Sequence, residues 1–535
     1  MINFLFSTIN KWRENVHLPA PETAWFLLVI LIAIALRCVS WLNTPVITLD
    51  GVFYAGQAKA IFYGQWDILA KWGGFSRLSI YPFLMAAFYN IFSDWIIAGK
   101  AINFIFGVAI IIPLYFLLRQ FFDYKISALT SLIIAVNPFF VSSSVEIIRE
   151  PIYWFFSVLG LYFFTVCIKK ENQLFLLLSS ISFLLAAWTR IEAVLFFAVS
   201  FGYLLFKDRN IRKIIIFISP AIIVSIGVIL LTCLKDVSSD ELHRGNEVFK
   251  RLTNLFSRYS TMRGELKELA GGMDGKTQGA LKLFLADART NMWLIALGKL
   301  ANKILETVFY PLFIPVLIGL CKFRKMKEDP RIIYFMLLVI SSLLVLYLYV
   351  FEYFILQGRY VTLFILPSFV FAGLGFYVAI EWLKNRFKLK EHLVIIALAF
   401  IMLLCTLPKN IQENRTDKLV YKEIGEFIIK QEGGNQQAIN VSASVATQRW
   451  ISFYANINYE GAICHEASFR SSWDLFAKED SLISQLKRRN MKYFLWTEKT
   501  LSKKNVDINK HSKHLKELGR WRHSNTGEMI LFEVL

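Results

Sequence analysis

Hydrophobic positions in this chain gather into long unbroken runs separated by short polar joints. Eleven runs, near 23–42, 96–118, 126–144, 151–168, 174–189, 191–206, 214–234, 304–321, 332–351, 360–380 and 393–407, approach the ~20 helical residues that cross a bilayer core. Each predicts a transmembrane helix. A twelfth run, Ile80 to Phe92, holds only 13 residues and begins beside Pro82, which predicts an interfacial or re-entrant helix instead.

Three longer polar segments remain: 43–95, 235–303 and 409–535. In the first, a helix is expected over Val52 to Tyr63, stopped by Gly64. In the second, Val248, Leu252, Leu255, Phe256, Tyr259, Met262, Leu266 and Leu269 recur at helical spacing with Arg251, Arg258 and Lys267 between them. Leu281, Phe284, Leu285, Ala288, Met292 and Leu297 repeat the pattern. Both stretches predict amphipathic helices at the membrane surface, either as plain caps on the bundle or as a basic vestibule for an anionic lipid headgroup. The third segment alternates periods. It predicts helix Tyr421 to Gln431 ended by Gly433-Gly434, strand Ala438 to Ser444, helices Thr447 to Ile457 and Leu482 to Arg489, strand Lys492 to Trp496, and closing strand Met529 to Leu535. The expected architecture is an α-helical polytopic membrane region, 1–408, followed by a small α/β domain, 409–535.

Composition agrees. Of 535 residues, 56% are hydrophobic and 19% charged, which excludes an ordinary soluble enzyme. The formal charge of +19 is dispersed between the apolar runs and forms no stripe, so nucleic acid is not the expected partner. Topology accounts for it. With eleven crossings and a cytoplasmic N-terminus, every inside loop is basic, including Arg119/Lys125, Lys322/Arg324/Lys325/Lys327/Arg331 and Lys384/Arg386/Lys388/Lys390. Counting Ile80 to Phe92 as a crossing would put the last two clusters outside. The domain 409–535 is therefore expected outside. No signal-peptide cleavage site is evident, so the first helix should remain as an anchor. Of the six cysteines, Cys38, Cys167, Cys233 and Cys405 fall in predicted spans, Cys321 at an inner end, and Cys464 alone in the tail; none has disulfide or metal spacing.

Charges at membrane depth are expensive, and several collect at the outer helix ends: Asp50, Arg77, Glu146 with the Arg149-Glu150 pair, Arg190/Glu192, and Arg359. One reading is chemical: a carboxylate takes a proton from an acceptor while arginines neutralise a phosphate leaving group. The other is structural, with Asp50 as a helix N-cap, Glu150 capping the span that opens at Pro151, and Arg149 pairing nearby. A transporter would show internal repeats and broken helices at mid-depth, and no repeat is visible here. A non-catalytic membrane scaffold and a transporter of lipid-linked glycans remain the rival classes, the scaffold being the harder to exclude.

The order Asp50-Gly51-x-x-Tyr54-x-x-x-Ala58, Gly64-Gln65-Trp66 and Ile80-Tyr81-Pro82-Phe83-Leu84 resembles the first outer loop of bacterial GT-C glycosyltransferases. These include protein O-mannosyltransferase-like enzymes and the aminoarabinose transferases of lipid A. Arg149-Glu150-Pro151, Trp188-Thr189-Arg190-Ile191-Glu192 and Gly358-Arg359-Tyr360 running into Leu366-Pro367 follow in matching order, so the resemblance spans most of the chain. It implies a multi-pass enzyme of a bacterial cytoplasmic membrane. Such an enzyme moves a sugar, with inversion, from a polyprenyl-phosphate donor to a lipid, polysaccharide or protein acceptor. By resemblance, Asp50 is the essential first-loop carboxylate, acting as general base or acceptor-orienting group, and Glu150 the second acidic residue. Arg77 stands about where relatives carry a phosphate-contacting Lys, although Leu78-Ser79 replace the two prolines that follow it there. Arg190 and Arg359 match recurrent arginines, and Arg149 and Tyr54 join them in the substrate-binding set. Gly51 stands where many relatives have Glu, which speaks against a paired-carboxylate metal site. No cofactor is implied, and a divalent metal is left open.

Overall fold

A computed structural model of the chain describes residues 19–71, 78–170, 172–234, 257–271, 279–326, 328–433, 437–463, 482–498, 513–524 and 526–535. Among the described residues six helices are long and apolar enough to cross a membrane: Ala20–Leu42, Trp95–Leu118, Glu150–Lys169, Pro330–Tyr353, Gly358–Phe387 and Glu391–Asn410. A bent pair, Met292–Val308 and Tyr310–Cys321, raises the number to seven if it counts as one span.

Eleven is therefore not reached on length and apolarity, for local reasons. The expected span 126–144 divides into Tyr124–Val136 and Pro138–Ser143, because Pro138 has no N–H to donate and Asn137 caps the new helix instead. Gln173–Thr189 has only 17 residues, and 191–206 becomes the turn Ile191–Ala193 followed by Val194–Tyr203. Ile211–Leu234 is one helix with Pro220 inside it. The expected span 304–321 is corrected more strongly. Its first helix starts at Met292, and the chain turns through 95° at Phe309, which sits at φ 66 just before Pro311. The second amphipathic stretch correspondingly splits at Asn291 into Gly279–Thr290 and Met292–Val308. The first is described over Ser257–Gly271, and its expected beginning at 248–256 lies outside the described residues. Ile80–Phe92 is a 13-residue helix, as its pattern predicts.

Breaks inside an apolar bundle must be satisfied by protein, since lipid offers no hydrogen bonds. Arg37, fully buried, donates to the carbonyls of Ile134 and Ala135 at 3.3 and 3.2 Å, and Asn410 donates to Val136 O at 2.7 Å. Asn137 reaches across to the end of Met292–Val308, donating to Val308 O at 2.8 Å. Elsewhere the bundle closes backbone to backbone. A Cβ on Gly319 would stand 1.7 Å from Phe371 O, and one on Gly375 1.8 Å from Pro315 O, so glycine sets that helix contact. At the bundle end away from the sheet described next, Lys125 meets Glu391 at 3.0 Å, Arg119 meets Glu22 at 2.7 Å and Lys325 meets Glu381 at 3.8 Å.

The described residues of the tail form a four-stranded sheet, β1 (Val441–Ser442), β2 (Tyr493–Thr497), β3 (Leu515–His523) and β4 (Gly527–Val534), in the order β1-β2-β4-β3. Only β1 and β2 run parallel. Alternation along β2 and β4 sends Tyr493, Leu495, Met529 and Leu531 to one core and Phe494, Ile530 and Phe532 to another. The second core is covered by Leu482–Arg488. The first is shared with the helices Leu419–Gln431 and Val445–Ala455 and, beyond the tail, with Val46, Ile47, Val52, Tyr54, Ala55 and Ala58 of the first polar segment. β3 escaped the sequence pattern because it is an edge strand whose residues, LKELGRWRH, are mostly polar.

Candidate active site

The first predicted carboxylate is placed by a cap at Thr48, and of the two readings of Asp50 the structural one, an N-cap, does not hold. The helix begins at Leu49, and Thr48 is its N-cap, with Oγ1 accepting from Gly51 N at 2.7 Å. Asp50 therefore lies inside the first turn with no capping duty, and its side chain is 49% exposed. It accepts a 2.6 Å hydrogen bond from Arg359 Nη1, supplied by the first turn of Gly358–Phe387. That same nitrogen stands 3.9 Å from Glu150 Oε1, so one guanidinium spans both predicted acids.

Glu150, the first residue of Glu150–Lys170, is almost fully buried and accepts from Arg190 Nη1. Arg190 is equally buried, at the C-cap of Gln173–Thr189, and also donates to Glu192 at 3.0 Å. Both arginines flank one ring, with Arg190 5.0 Å and Arg359 5.7 Å from the centre of Tyr360. Arg149 has a buried Nε without a hydrogen-bond partner among the described residues. Tyr54, one turn beyond Asp50, packs edge-on against Tyr81 at 5.5 Å. Burial pushes its phenol up to about 12, so it stays protonated at neutral pH. Arg77 lies outside the described residues.

Glu146 does not join the Arg149-Glu150 pair by an ion pair of its own. It binds Arg415, just past the last apolar helix, at 2.8 Å. Burial holds its carboxyl above the usual range; Arg415 pulls the other way, and Glu150 and Asp50 add to the rise. Asp50, Glu146, Glu150, Arg359, Arg415 and Trp450 all line one cavity of about 380 Å³. A second cavity of about 400 Å³, lined by Lys303, Glu306, Tyr310 and Lys409, adjoins it through the shared residues Phe139 and Gly358. The site is thus a mixed-charge pocket at the meeting of several helix starts, with Asp50 half open to solvent, Glu146 held by Arg415, and Glu150 buried against Arg190 with Arg359 close by.

Residues 79–232 match the family described as dolichyl-phosphate-mannose-protein mannosyltransferase. No curated protein sequence matches the chain. Among solved structures it is similar to ArnT from Cupriavidus metallidurans bound to undecaprenyl phosphate, at 11% identity and TM-score 0.56, over 96% of this chain and 98% of that one. The apo form of the same protein gives 11% and 0.54, over 96% and 98%. The Archaeoglobus fulgidus oligosaccharyltransferase in complex with Zn and sulfate gives 14% and 0.51, over 95% of this chain and 72% of that one. The chain has the GT-C fold.

Arg415 and Trp450 also line this pocket and were not anticipated. Arg415 follows the last apolar run by a few residues, which puts it at the same membrane level as Asp50 and was a usable signal. Trp450 gave none, because an aromatic in an amphipathic helix reads as core. For a metal the donor set fits poorly. Among the described residues no three His, Cys, Asp or Glu side chains come together as a ligand group, and each of the three pocket carboxylates is already held by an arginine. A Cβ on Gly51 would meet Ile147 at 3.0 Å, so a second acid beside Asp50 would require the neighbouring chain to shift.

Proposed function

We propose that the chain is an inverting glycosyltransferase of the GT-C type, moving a sugar from a polyprenyl-phosphate donor to an acceptor hydroxyl or amine at the outer face of a bacterial cytoplasmic membrane. In this reading 1–408 is the catalytic membrane domain, crossing eleven times from an inside N-terminus, and 409–535 lies outside. The observation that carries it is a half-exposed carboxylate, Asp50, that shares one pocket with Arg359, Arg415 and the acids Glu146 and Glu150. The match to a family named for dolichyl-phosphate-mannose chemistry, and the likeness to a protein crystallised with undecaprenyl phosphate, support the choice of donor class.

The acceptor attacks the anomeric carbon from the face opposite the phosphate, and the C–O bond to the lipid phosphate breaks. Asp50 takes the acceptor proton as general base, while the polyprenyl phosphate departs as an anion. Arg149, Arg359 and Arg77 neutralise that charge, since bidentate guanidiniums suit phosphate oxygens. Glu150 keeps Arg359 and Arg190 in place and orients the acceptor. Tyr54, kept protonated, donates. No step needs a cofactor. The two adjoining cavities leave room for a donor headgroup and an acceptor side by side.

The test is to compare lipid-linked sugars and envelope glycans in cells with and without the protein, then to restore transfer with the purified protein. Loss of one glycan with build-up of its lipid-linked sugar is expected. Unchanged glycans and no transfer by purified protein would refute the enzyme and leave the scaffold.

A further inference from the structure

The segment that delivers Asp50 to the pocket, residues 44–48, has no regular structure, so its peptide groups need partners from elsewhere. For Ile47 both partners come from the tail. Tyr454 Oη accepts from Ile47 N at 3.1 Å, and Trp450 Nε1 donates to Ile47 O at 2.8 Å. The two aromatics are one turn apart on Val445–Ala455, and all three residues are buried. Tyr421 stacks on Trp450 with ring centres 5.4 Å apart, fixing its plane. Next along the chain Thr48 caps the helix, so a movement of Ile47 passes directly to Asp50. The far end of the same tail helix is held too, since Lys59 Nζ donates to Asn456 O at 3.0 Å and Ile457 O at 3.2 Å.

We infer that Trp450 and Tyr454 are positioning residues for the reactive carboxylate, which makes the C-terminal domain a built-in part of the catalytic centre and not a detachable lid. The inference rests on the reading of Asp50 as general base. Apolar packing alone would keep the domain attached but would leave the loop free to turn. Two hydrogen bonds on one residue, fixing the peptide units on both sides of Ile47 from an acceptor and a donor one turn apart, remove that freedom. Catalytic geometry is sensitive at this scale, a misplacement of ~1 Å costing as much as about 10²-fold in rate.

The experiment uses full-length protein in nanodiscs, with undecaprenyl phosphate as the binding probe. Turnover is read in membranes from cells lacking the protein, which supply donor and acceptor. Tyr454→Phe, losing only the hydroxyl, and Trp450→Phe, losing the N–H, should each slow turnover about tenfold while undecaprenyl phosphate binding holds. Phe494→Leu, in the core on the sheet's other face, should lower thermal stability without slowing the folded protein. The deciding comparison is made in the Asp50→Asn background, where Tyr454→Phe should change the residual rate by less than about twofold, because its effect has no carboxylate left to act through. Unchanged turnover in Tyr454→Phe, or an equal loss in both backgrounds, would overturn the inference while Asp50 stood. Wild-type turnover in Asp50→Asn alone would instead overturn the Asp50 reading, and the positioning role with it.

Discussion

Asp50→Asn separates chemistry from folding more sharply than any other single change in this protein. Thr48 caps the helix, so Asp50 carries no cap energy, and Asn still offers Arg359 an acceptor oxygen in the place of the 2.6 Å bond. The ion pair is solvent-exposed on the Asp50 side, with 49% of that side chain accessible and 29% of the Arg359 side chain. After screening, such a pair is worth about 0.2–1 kcal/mol. Stability should therefore fall by no more than about 1 kcal/mol. The barrier should respond quite differently, since loss of a general base costs about 10²–10⁴-fold, or about 2.7–5.4 kcal/mol at 1.36 kcal/mol per factor of ten. The assay pairs thermal unfolding in detergent with initial transfer rates under saturating donor and acceptor. Transfer at the wild-type rate would refute the catalytic role. A large loss of stability would show instead that Asp50 is structural after all, and Glu150→Gln gives the comparison, being almost fully buried against Arg190.

Arg149→Ala should weaken undecaprenyl phosphate binding at least about tenfold, roughly 1.4 kcal/mol, with Arg149→Lys restoring only part because it lacks the planar fork; equal binding by all three proteins would remove Arg149 from the phosphate site. Burial pushes the Lys59 amine down to about 8 from its ordinary 10.5, so between those values the unfolded chain holds a proton that the folded chain lacks. The Lys59 contribution to stability is then smallest below pH 8 and grows as pH rises toward 10.5, and the thermal-stability gap between wild type and Lys59→Met should widen in favour of wild type from pH 7 to 9.5; a narrowing gap would contradict the assignment. Single cysteines at Asn90 and within 409–535 should react with an impermeant thiol reagent from outside the cell, and one at Lys325 should not, whereas labelling at Lys325 with the tail protected would invert the proposed topology.

Against the alternative of a passive scaffold, the cost of the site is informative. Burying Glu150 and Arg190 together is weak evidence of stabilisation, because desolvation offsets much of the attraction. Burying Arg149 Nε with no partner among the described residues adds a further cost. A bundle selected only for stability would gain from apolar residues at these helix ends, and a phosphate-handling site needs the charges.

Run length and periodicity alone determined the helices such as Ala20–Leu42, Pro330–Tyr353 and Glu391–Asn410, since what makes a segment helical in lipid is its own apolar length. The short helix Ile80–Phe92 and the alternating periods of the tail were legible for the same local reason. Motif order also pointed to Asp50, Glu150, Arg190 and Arg359. What sequence could not decide is who meets whom. Asp50 finds Arg359 across 309 positions, and Ile47 is held by Trp450 and Tyr454 from 403 and 407 positions away. The choice of Thr48 over Asp50 as cap turned on a helix start a few residues earlier than the pattern suggested, and boundaries depend on which end groups the surroundings satisfy. The breaks at Asn137 and Phe309 likewise persist because distant side chains, Arg37 and Asn137 itself, donate to the freed carbonyls. Local propensity selects elements, but partners for buried charges and orphan peptide groups exist only once the chain has been brought together, and that is where the pocket, the shared core and the hold on Asp50 were decided.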